Sequence, residues 1–362
     1  MIFPLGCLAF LSVLVIGARY QSMLRTTKSH KSFEFELAKI DAETSLSTEA
    51  QAMRKYYLGL ITVTQFEEVK SHTQKSLVAF SDLSLKNQGK ENILDREIMV
   101  PLSNLRSDVL SGQKRWPEVK EKMNQLNLRL SEIALKNSPY PILSSQAAWL
   151  KNYELLQKTY SSAGTFRNDI SYTVLRDMPL NSDQFSSLVR SLERADFFRE
   201  KIKTNFTFTE GSFGFFIGQQ SGLWKRVLNH YNQVRGNVGQ GRYGVSINKM
   251  IATFDKYQLA IAGGIQAYKK YALGESEKIL SGSRRTLIWN CVFLSLFILV
   301  STRLSISLTR RALFYLATEM TGHDIKIISK NGGRRSWSKK VILLSDYQNT
   351  PEKESAEQKK IA

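Results

Sequence analysis

Few residues of this sequence have the types and spacing that catalysis or metal binding requires. The four histidines are isolated from one another and from both cysteines, and neither an HExxH nor a GxSxG motif is present. The glycines of Gly236–Gly244 lack the Gly-Lys-Ser/Thr ending of a phosphate-binding loop. The sequence therefore predicts a protein that is not an enzyme, with no catalytic residue, no metal site and no cofactor.

Two apolar runs without charged residues frame the chain. Ile2–Ala18 and Thr286–Thr302 each contain 17 residues, at the short end of the roughly 17–25 residues that span a bilayer. We predict a transmembrane helix or signal anchor at 1–19 and a transmembrane helix at 285–303. A cleaved signal peptide is the alternative for the first run, and a buried soluble helix is the alternative for the second.

Basic residues after the second run predict the orientation. Residues 303–340 contain nine lysines and arginines but only two acidic residues, a bias typical of the cytoplasmic side of a membrane. Both cysteines lie in the apolar runs, and a cysteine-free domain between them fits an oxidising exterior. We therefore predict that the domain at 20–284 lies outside the cytoplasm, as in a periplasm, and that a short basic tail at 304–362 is cytoplasmic.

The net charge of the chain is +19, from 51 basic and 32 acidic residues. Residues 303–362 contribute +6 of it, with 12 basic and 6 acidic residues, and membrane topology and anionic lipid headgroups account for that excess. No helix-turn-helix or zinc motif accompanies the charge. Membrane lipid is therefore a predicted partner and nucleic acid is not.

Apolar spacing between the two runs predicts an all-α fold, an extracytoplasmic antiparallel helical bundle between two transmembrane helices. Pro117 is placed to begin a helix that ends near Leu135, and further helices are predicted over 145–176 and 246–300. The capping residues Asn181-Ser182-Asp183 precede another helix. The apolar face of that helix consists of Phe185, Leu188, Leu192, Ala195, Phe198 and Ile202.

Two other stretches carry weaker helix signals. A second helical face is predicted from Ile93, Val100, Leu105, Val109 and Leu110. The eight glycines of Gly211–Gly244 predict a flexible connection with short helical pieces, with anion binding through backbone amides as the alternative.

Several short motifs occur in the order found in one sensor family. Ala163-Gly164-Thr-Phe-Arg167 lies on a predicted helix, followed by a polar turn and a helix rich in phenylalanine near its end. This arrangement resembles the second half of the nitrate- and nitrite-sensing (NIT) domain, with its A-G-x-E-R signature. Pro101–Val109 is similar to the L-x-x-L-R-x-x-V helix of that family, and Glu36–Ser47 to its Q-x-E-R-G-x-S pattern. Ile247–Asp255 lies where the family has W-F-x-A-x-T, so the resemblance covers about 35–280.

The resemblance implies a bacterial inner-membrane protein with a periplasmic all-helical sensor domain that holds a small anion between helices. A guanidinium offers paired planar donors, which match a planar anion such as nitrate. The motif match carries this role to Arg167. Thr44 stands where the first signature has its arginine, and Phe166 replaces the glutamate of the second. The candidate ligand-binding residues are therefore Arg167, Thr44 and Arg106.

Structural roles are the alternatives for both arginines. Arg167 could be paired with Asp169, Glu43 or a helix-terminal carbonyl. Arg106 could pack beside the leucines of its own helix.

Two functions from different classes follow. The first is a membrane-anchored sensor-like protein that binds a small ligand, such as an oxyanion, and relays binding through the second transmembrane helix. Leu308–Ile325 resembles the first helix and connector of a HAMP relay module. The tail is shorter than a kinase, cyclase or methyl-accepting domain, so a separate signalling output protein is a predicted partner, together with a second copy in a homodimer. The alternative is a non-enzymatic membrane docking or assembly protein whose bundle binds another protein.

Overall fold

A computed structural model describes residues 2–88, 93–137, 140–206 and 211–321. In these ranges the chain forms eight α-helices and one short π-helix without any β-strand, which confirms the predicted all-α class. The α-helices are α1 Ile2–Tyr57, α2 Val63–Gln88, α3 Val100–Leu110, α4 Trp116–Asn137, α5 Ser144–Arg176, α6 Ser182–Asn205, α7 Gly211–Gly236 and α8 Ile247–Thr321. The π-helix, Asp95–Met99, directly precedes α3. The predictions for the basic tail after Thr321 fall outside the described residues.

The chain divides into two compact units, one of residues 21–284 and one of residues 1–20 and 285–362. In the described part of the second unit, apolar side chains of α8 such as Ile288, Phe293 and Leu299 are exposed. The helix Ile247–Glu319 contains an 18-residue window with a mean hydropathy of 2.0, none of it buried. By length and composition this helix, alone among those described, could cross a membrane.

Two apolar clusters form the core of the unit 21–284, and α1 contributes to both. Phe33 and Leu37 of α1 join residues of α5, α6, α7 and α8 in one cluster. Phe35 and Leu46 of α1 join residues of α2, the π-helix, α3 and α4 in the other. Residues on different faces of a helix point to different neighbours, so α1 lies between two helical layers.

The predicted helix ends in the middle of the chain agree closely with the structure. Helices α4 and α5 begin within one residue of the predicted positions, and α5 ends at Arg176 as predicted. The Asn181 side chain accepts a hydrogen bond from the backbone N–H of Gln184 at 2.8 Å, which confirms its capping role. Leu188, Ala195 and Ile202 of the predicted α6 face are buried.

The prediction for the glycine-rich stretch is wrong over most of its length. Gly211–Gly236 forms one continuous helix, α7, rather than a flexible connection with short helical pieces. Trp224, Val227, Tyr231 and Val234 recur every three or four residues and are buried in the core. Burial of this apolar face outweighs the loss of helix propensity that the glycines bring.

The face predicted before and within α3 is only partly correct. Leu105 and Val109 are buried, but Ile93 and Val100 are 44% and 53% exposed and Leu110 is also exposed. The π-helix Asp95–Met99 inserts an extra residue into the turn and shifts the buried face. Leu94, Ile98 and Leu102 occupy the core instead.

Candidate functional site

Four helices of the unit 21–284 line two adjoining cavities. We name them the hydroxyl cavity, of about 430 Å³, and the cationic cavity, of about 440 Å³. Both are lined by Thr48 of α1, Val69 of α2, Tyr160 of α5 and Ala262 of α8. The shared lining places them side by side in one groove, within the size range of small-molecule sites.

Arg167 of α5 lines the cationic cavity and contacts α8. Its Nη2 atom lies 2.6 Å from Oδ1 of Asp255, and its Nη1 atom donates a hydrogen bond of 3.1 Å to Oε1 of Gln258. The side chain of Arg167 is 15% exposed, whereas that of Asp255 is 53% exposed. Burial lowers the pKa of Arg167, and the charge of Asp255 opposes this effect.

The carboxylates proposed from sequence as partners of Arg167 have other partners. Asp169 accepts a hydrogen bond from Nη1 of Arg54 at 2.9 Å, and Glu43 accepts one from the hydroxyl of Ser131 at 2.8 Å. Neither carboxylate is therefore the partner of Arg167. The spacing of residues along the sequence does not show which helix packs against α5. A guanidinium has five N–H donors, and the contacts of Arg167 in the described part of the chain use two of them.

Lys55 of α1 lines the same cavity and was not found from sequence. It is half-buried, and its ammonium group has no hydrogen bond or ion pair with any described residue. Burial and, to a lesser degree, the charge of Arg167 lower the pKa of Lys55 to about 8, while Asp255 opposes the shift. The sequence does contain a signal, since Thr44, Thr48, Gln51 and Lys55 recur at helical spacing.

Positive charge is in excess in the cationic cavity. Its lining includes three basic residues, Lys55, Arg167 and Lys256, but a single carboxylate, Asp255. Asp255 is half-exposed, so water screens its charge and it offsets only part of the cost of holding Lys55 and Arg167 away from water. A small anion in the cavity would neutralise this excess and use the free N–H donors of both side chains.

The absence of a side chain at Gly164 lets the amide groups of Gln51 and Gln258 approach α5 beside Arg167. A Cβ atom at this position would clash with Oε1 of Gln51 and would lie 2.9 Å from Nε2 of Gln258. Gln51 also donates a hydrogen bond of 3.1 Å to the backbone oxygen of Ser161. The glycine of the Ala163-Gly164 motif therefore admits side chains from α1 and α8 at the cationic cavity.

Thr44 lines the hydroxyl cavity rather than the cationic one. Its hydroxyl has no hydrogen-bond partner among the described residues, although its backbone oxygen accepts one from Thr48 at 2.9 Å. Four further side-chain hydroxyls belong to the helices α1 and α2 at this cavity: Ser45, Thr48, Thr73 and Ser76. The structure thus brings Thr44 and Arg167 into one groove but into adjoining parts of it.

An ion pair at the edge of the hydroxyl cavity is already saturated. Asp41 of α1 accepts hydrogen bonds from Tyr153, from Gln157 at 3.2 Å and from Lys269 of α8 at 2.5 Å. Burial, and next the charge of Asp41, raise the pKa of Tyr153, so this phenol remains a donor. These contacts hold α1, α5 and α8 together and leave Asp41 little capacity for a ligand.

Arg106 lies away from both cavities and is engaged by a carboxylate. Its Nε and Nη2 atoms donate to the two oxygens of Glu49 at 2.6 and 2.8 Å, and Nη1 donates to Gln74 at 3.2 Å. The side chains of Arg106 and Glu49 are 6% and 0% exposed. These contacts fit the structural alternative for Arg106, and the groove that it lines with Glu67 and Lys70 is a separate one.

No family model, curated protein or solved structure matches this chain. Within the described ranges no group of three or more histidine, cysteine, aspartate or glutamate residues could hold a metal ion. The charge and hydrogen-bonding capacity of the groove therefore carry the functional argument.

Substitution of Lys55 by methionine is expected to stabilise the ligand-free protein at pH 7 by about 1–3 kcal/mol, because it removes a buried charge that lacks a partner. The pKa of Lys55 is about 8 in the folded protein and that of an ordinary lysine is 10.5, so the unfolded chain binds more protons between these pH values. Wild-type stability should therefore rise across that window relative to the variant. Chemical unfolding at pH 7 and pH 10 measures the difference.

The matched control for this substitution is Lys158→Met. Lys158 is 54% exposed and is paired with Glu154 on the surface of α5. Its replacement should change stability by less than about 0.5 kcal/mol at either pH. A Lys55→Met variant no more stable than Lys158→Met at pH 7 would contradict the electrostatic description of the cavity.

Proposed function

We propose that this protein is a non-enzymatic, membrane-anchored sensor that binds a small oxyanion between Lys55 and Arg167. The excess of positive charge in the cationic cavity carries the proposal. Lys55 has no partner among the described residues, and the partners of Arg167 among them are the half-exposed carboxylate of Asp255 and the neutral amide of Gln258. Nitrate and nitrite are the first anions to test, since the sequence resembles the NIT family.

The contact between α5 and α8 supplies a means of response. Asp255 and Gln258, which hold Arg167, are both on α8, and the exposed apolar segment belongs to the same helix. An anion that competes with Asp255 for the guanidinium would favour a different α5–α8 contact. A ligand shifts such an equilibrium only by its difference in affinity for the two states.

The proposed setting is the inner membrane of a bacterium. Two transmembrane helices, at 1–19 and 285–303, would flank an antiparallel bundle in the periplasm and leave the basic tail in the cytoplasm among anionic headgroups. A homodimer and a separate output protein would complete the signalling unit. The apolar window of α8 and the basic residues after it support this arrangement.

Isothermal titration calorimetry of the full-length protein in lipid nanodiscs tests the proposal. Wild type should bind nitrate or nitrite at millimolar concentration or below, measured at constant ionic strength with chloride as the reference salt. Arg167→Gln and Lys55→Met should each weaken binding by about tenfold or more, as expected for the loss of a charge-assisted hydrogen bond. Lys158→Met is the control and should bind as wild type does.

Asp255→Asn separates an anion site from a structural ion pair. If Asp255 competes with the ligand for Arg167, removal of its charge should increase anion affinity about fivefold or more. A purely structural pair predicts lower stability in this variant and no gain in binding. Absence of any binding by wild type and by Asp255→Asn would contradict the oxyanion proposal and favour the docking alternative.

A further inference from the structure

We infer that the hydroxyl and cationic cavities form one elongated site whose ligand is a polyhydroxylated carboxylate, with its carboxylate between Lys55 and Arg167 and its hydroxyl groups along α1 and α2. This inference rests on the proposed function, because it uses the same anion-binding end. The larger ligand would also occupy the hydroxyl cavity, which nitrate or nitrite would leave unused.

Continuity of the lining is the first argument. The two cavities share one residue from each of the helices α1, α2, α5 and α8, and each measures more than 400 Å³. Either cavity alone is in the range that buries a small organic ligand, roughly 300–1,000 Å³. A four-atom anion at the cationic end would therefore leave most of the groove filled with water.

Unpaired hydroxyls along the groove are the second argument. The hydroxyls of Thr44 and Tyr160 have no hydrogen-bond partner in the part of the chain that the structure describes, and both residues are half-buried. Tyr160 lines both cavities, so its side chain lies where the two cavities meet. Burial raises the pKa of Tyr160, which keeps the phenol protonated as a donor.

Further hydroxyl groups that line the hydroxyl cavity are already held by hydrogen bonds within and between α1 and α2. Ser45 donates to the Ser76 hydroxyl at 2.9 Å, and Thr73 donates to the backbone oxygens of Ser45 and Val69 at 3.2 and 3.1 Å. Ser45 and Thr73 are buried, so their hydrogen bonds hold this wall in place, whereas the half-buried Ser76 hydroxyl keeps a lone pair that can accept from a ligand. Together with the hydroxyls of Thr44 and Tyr160, it matches a polyol chain, whose hydroxyls both donate and accept.

The charges of the hydroxyl cavity disfavour a second anion at this end. Asp41 and Lys269 neutralise each other, and Glu68 of α2 adds an exposed negative charge. The other titratable side chains of this lining are His72, which is exposed on the same helix, and Tyr160, whose phenol stays protonated. A ligand with one anionic end and an uncharged hydroxylated body fits this distribution better than a dianion does.

Four probes test the inference by calorimetry on the full-length protein in nanodiscs: gluconate, acetate, nitrate and sorbitol. Gluconate should bind at least tenfold more tightly than acetate, and sorbitol should bind more weakly than gluconate by at least the same factor. If acetate or nitrate binds but gluconate binds no better, the elongated site is wrong and the oxyanion site stands. If none of the anions binds, the proposed function fails as well.

Two variants locate the extra affinity. Thr44→Val should reduce the preference for gluconate over acetate by about threefold to tenfold while acetate affinity changes less than twofold. Tyr160→Phe should reduce the preference by a similar factor, and because Tyr160 also lines the cationic cavity, its effect is measured by the ratio of the two affinities. Thr173→Val is the control, because the Thr173 hydroxyl is buried on α5 and, among the described residues, donates its hydrogen bond to the backbone oxygen of Asp169. An unchanged preference in both cavity variants would overturn the inference, as would sorbitol binding equal to that of gluconate.

Discussion

Replacement of Arg106 by methionine is expected to lower the free energy of unfolding by about 3–5 kcal/mol. The change would leave the carboxylate of Glu49 fully buried without its two charged hydrogen bonds. Gln74 would also lose its contact with the guanidinium. Chemical unfolding of the full-length protein in detergent, followed by tryptophan fluorescence, measures the loss.

The double variant Arg106→Met/Glu49→Met distinguishes the loss of an ion pair from the loss of packing. An apolar pair of similar volume avoids the burial of an unpaired charge, so we expect it to recover most of the stability. A double variant as unstable as the single one would show that Arg106 acts mainly through the packing of its stem. Anion binding should be retained in the double variant, since Arg106 lines neither cavity of the proposed site.

Substitution of Gly241 by alanine is expected to be the second most damaging change, at about 2–4 kcal/mol. Gly241 has a φ angle of +73°, and a Cβ atom there would lie 2.6 Å from Cδ and 2.8 Å from N of Pro179. The backbone strain and the clash with a rigid ring therefore both lower the free energy of unfolding. The Tyr243 hydroxyl donates to the oxygen of Met178 at 2.7 Å, so the same substitution would disturb the contact between these two turns.

Gly244→Ala is the matched control for Gly241→Ala. Gly244 has a φ angle of +65°, but a Cβ atom at this position would have no neighbour within 4 Å. Only the strain of the left-handed backbone remains, about 1–2 kcal/mol. Equal losses in the two variants would mean that the approach of Pro179 contributes nothing, and thermal unfolding of both proteins compares them directly.

Helix limits could be predicted where local chemistry determines them. Asn181 caps α6 through a hydrogen bond within its own turn, and Pro117 lies at the start of α4, so neighbouring residues carried the information. The continuity of α7 could not be predicted in the same way. It depends on the burial of Trp224 and its neighbours against residues from distant helices.

The candidate site, too, could be predicted from the sequence only in part. The helical motif that contains Arg167 indicated a residue that lines a charged cavity. Its partner Asp255 could not be predicted, because it lies on another helix, 88 residues after Arg167. Periodicity gives the face of a helix and not the helix that it meets. Lys55 was missed because a lysine in a polar helical turn is usually solvated, and only the arrangement of α1 against α5 and α8 buries it.

Proton uptake on anion binding tests the central claim most directly. At pH 8 about half of the Lys55 side chains are protonated in the free protein, since the pKa is about 8. An anion between Lys55 and Arg167 favours the charged ammonium and raises this pKa. Calorimetric titration of full-length protein with nitrate, in buffers of different ionisation enthalpy, gives the number of protons taken up. We predict up to about 0.5 proton per site for wild type and none for Lys55→Met. Binding without proton uptake in wild type would contradict the placement of the anion beside Lys55.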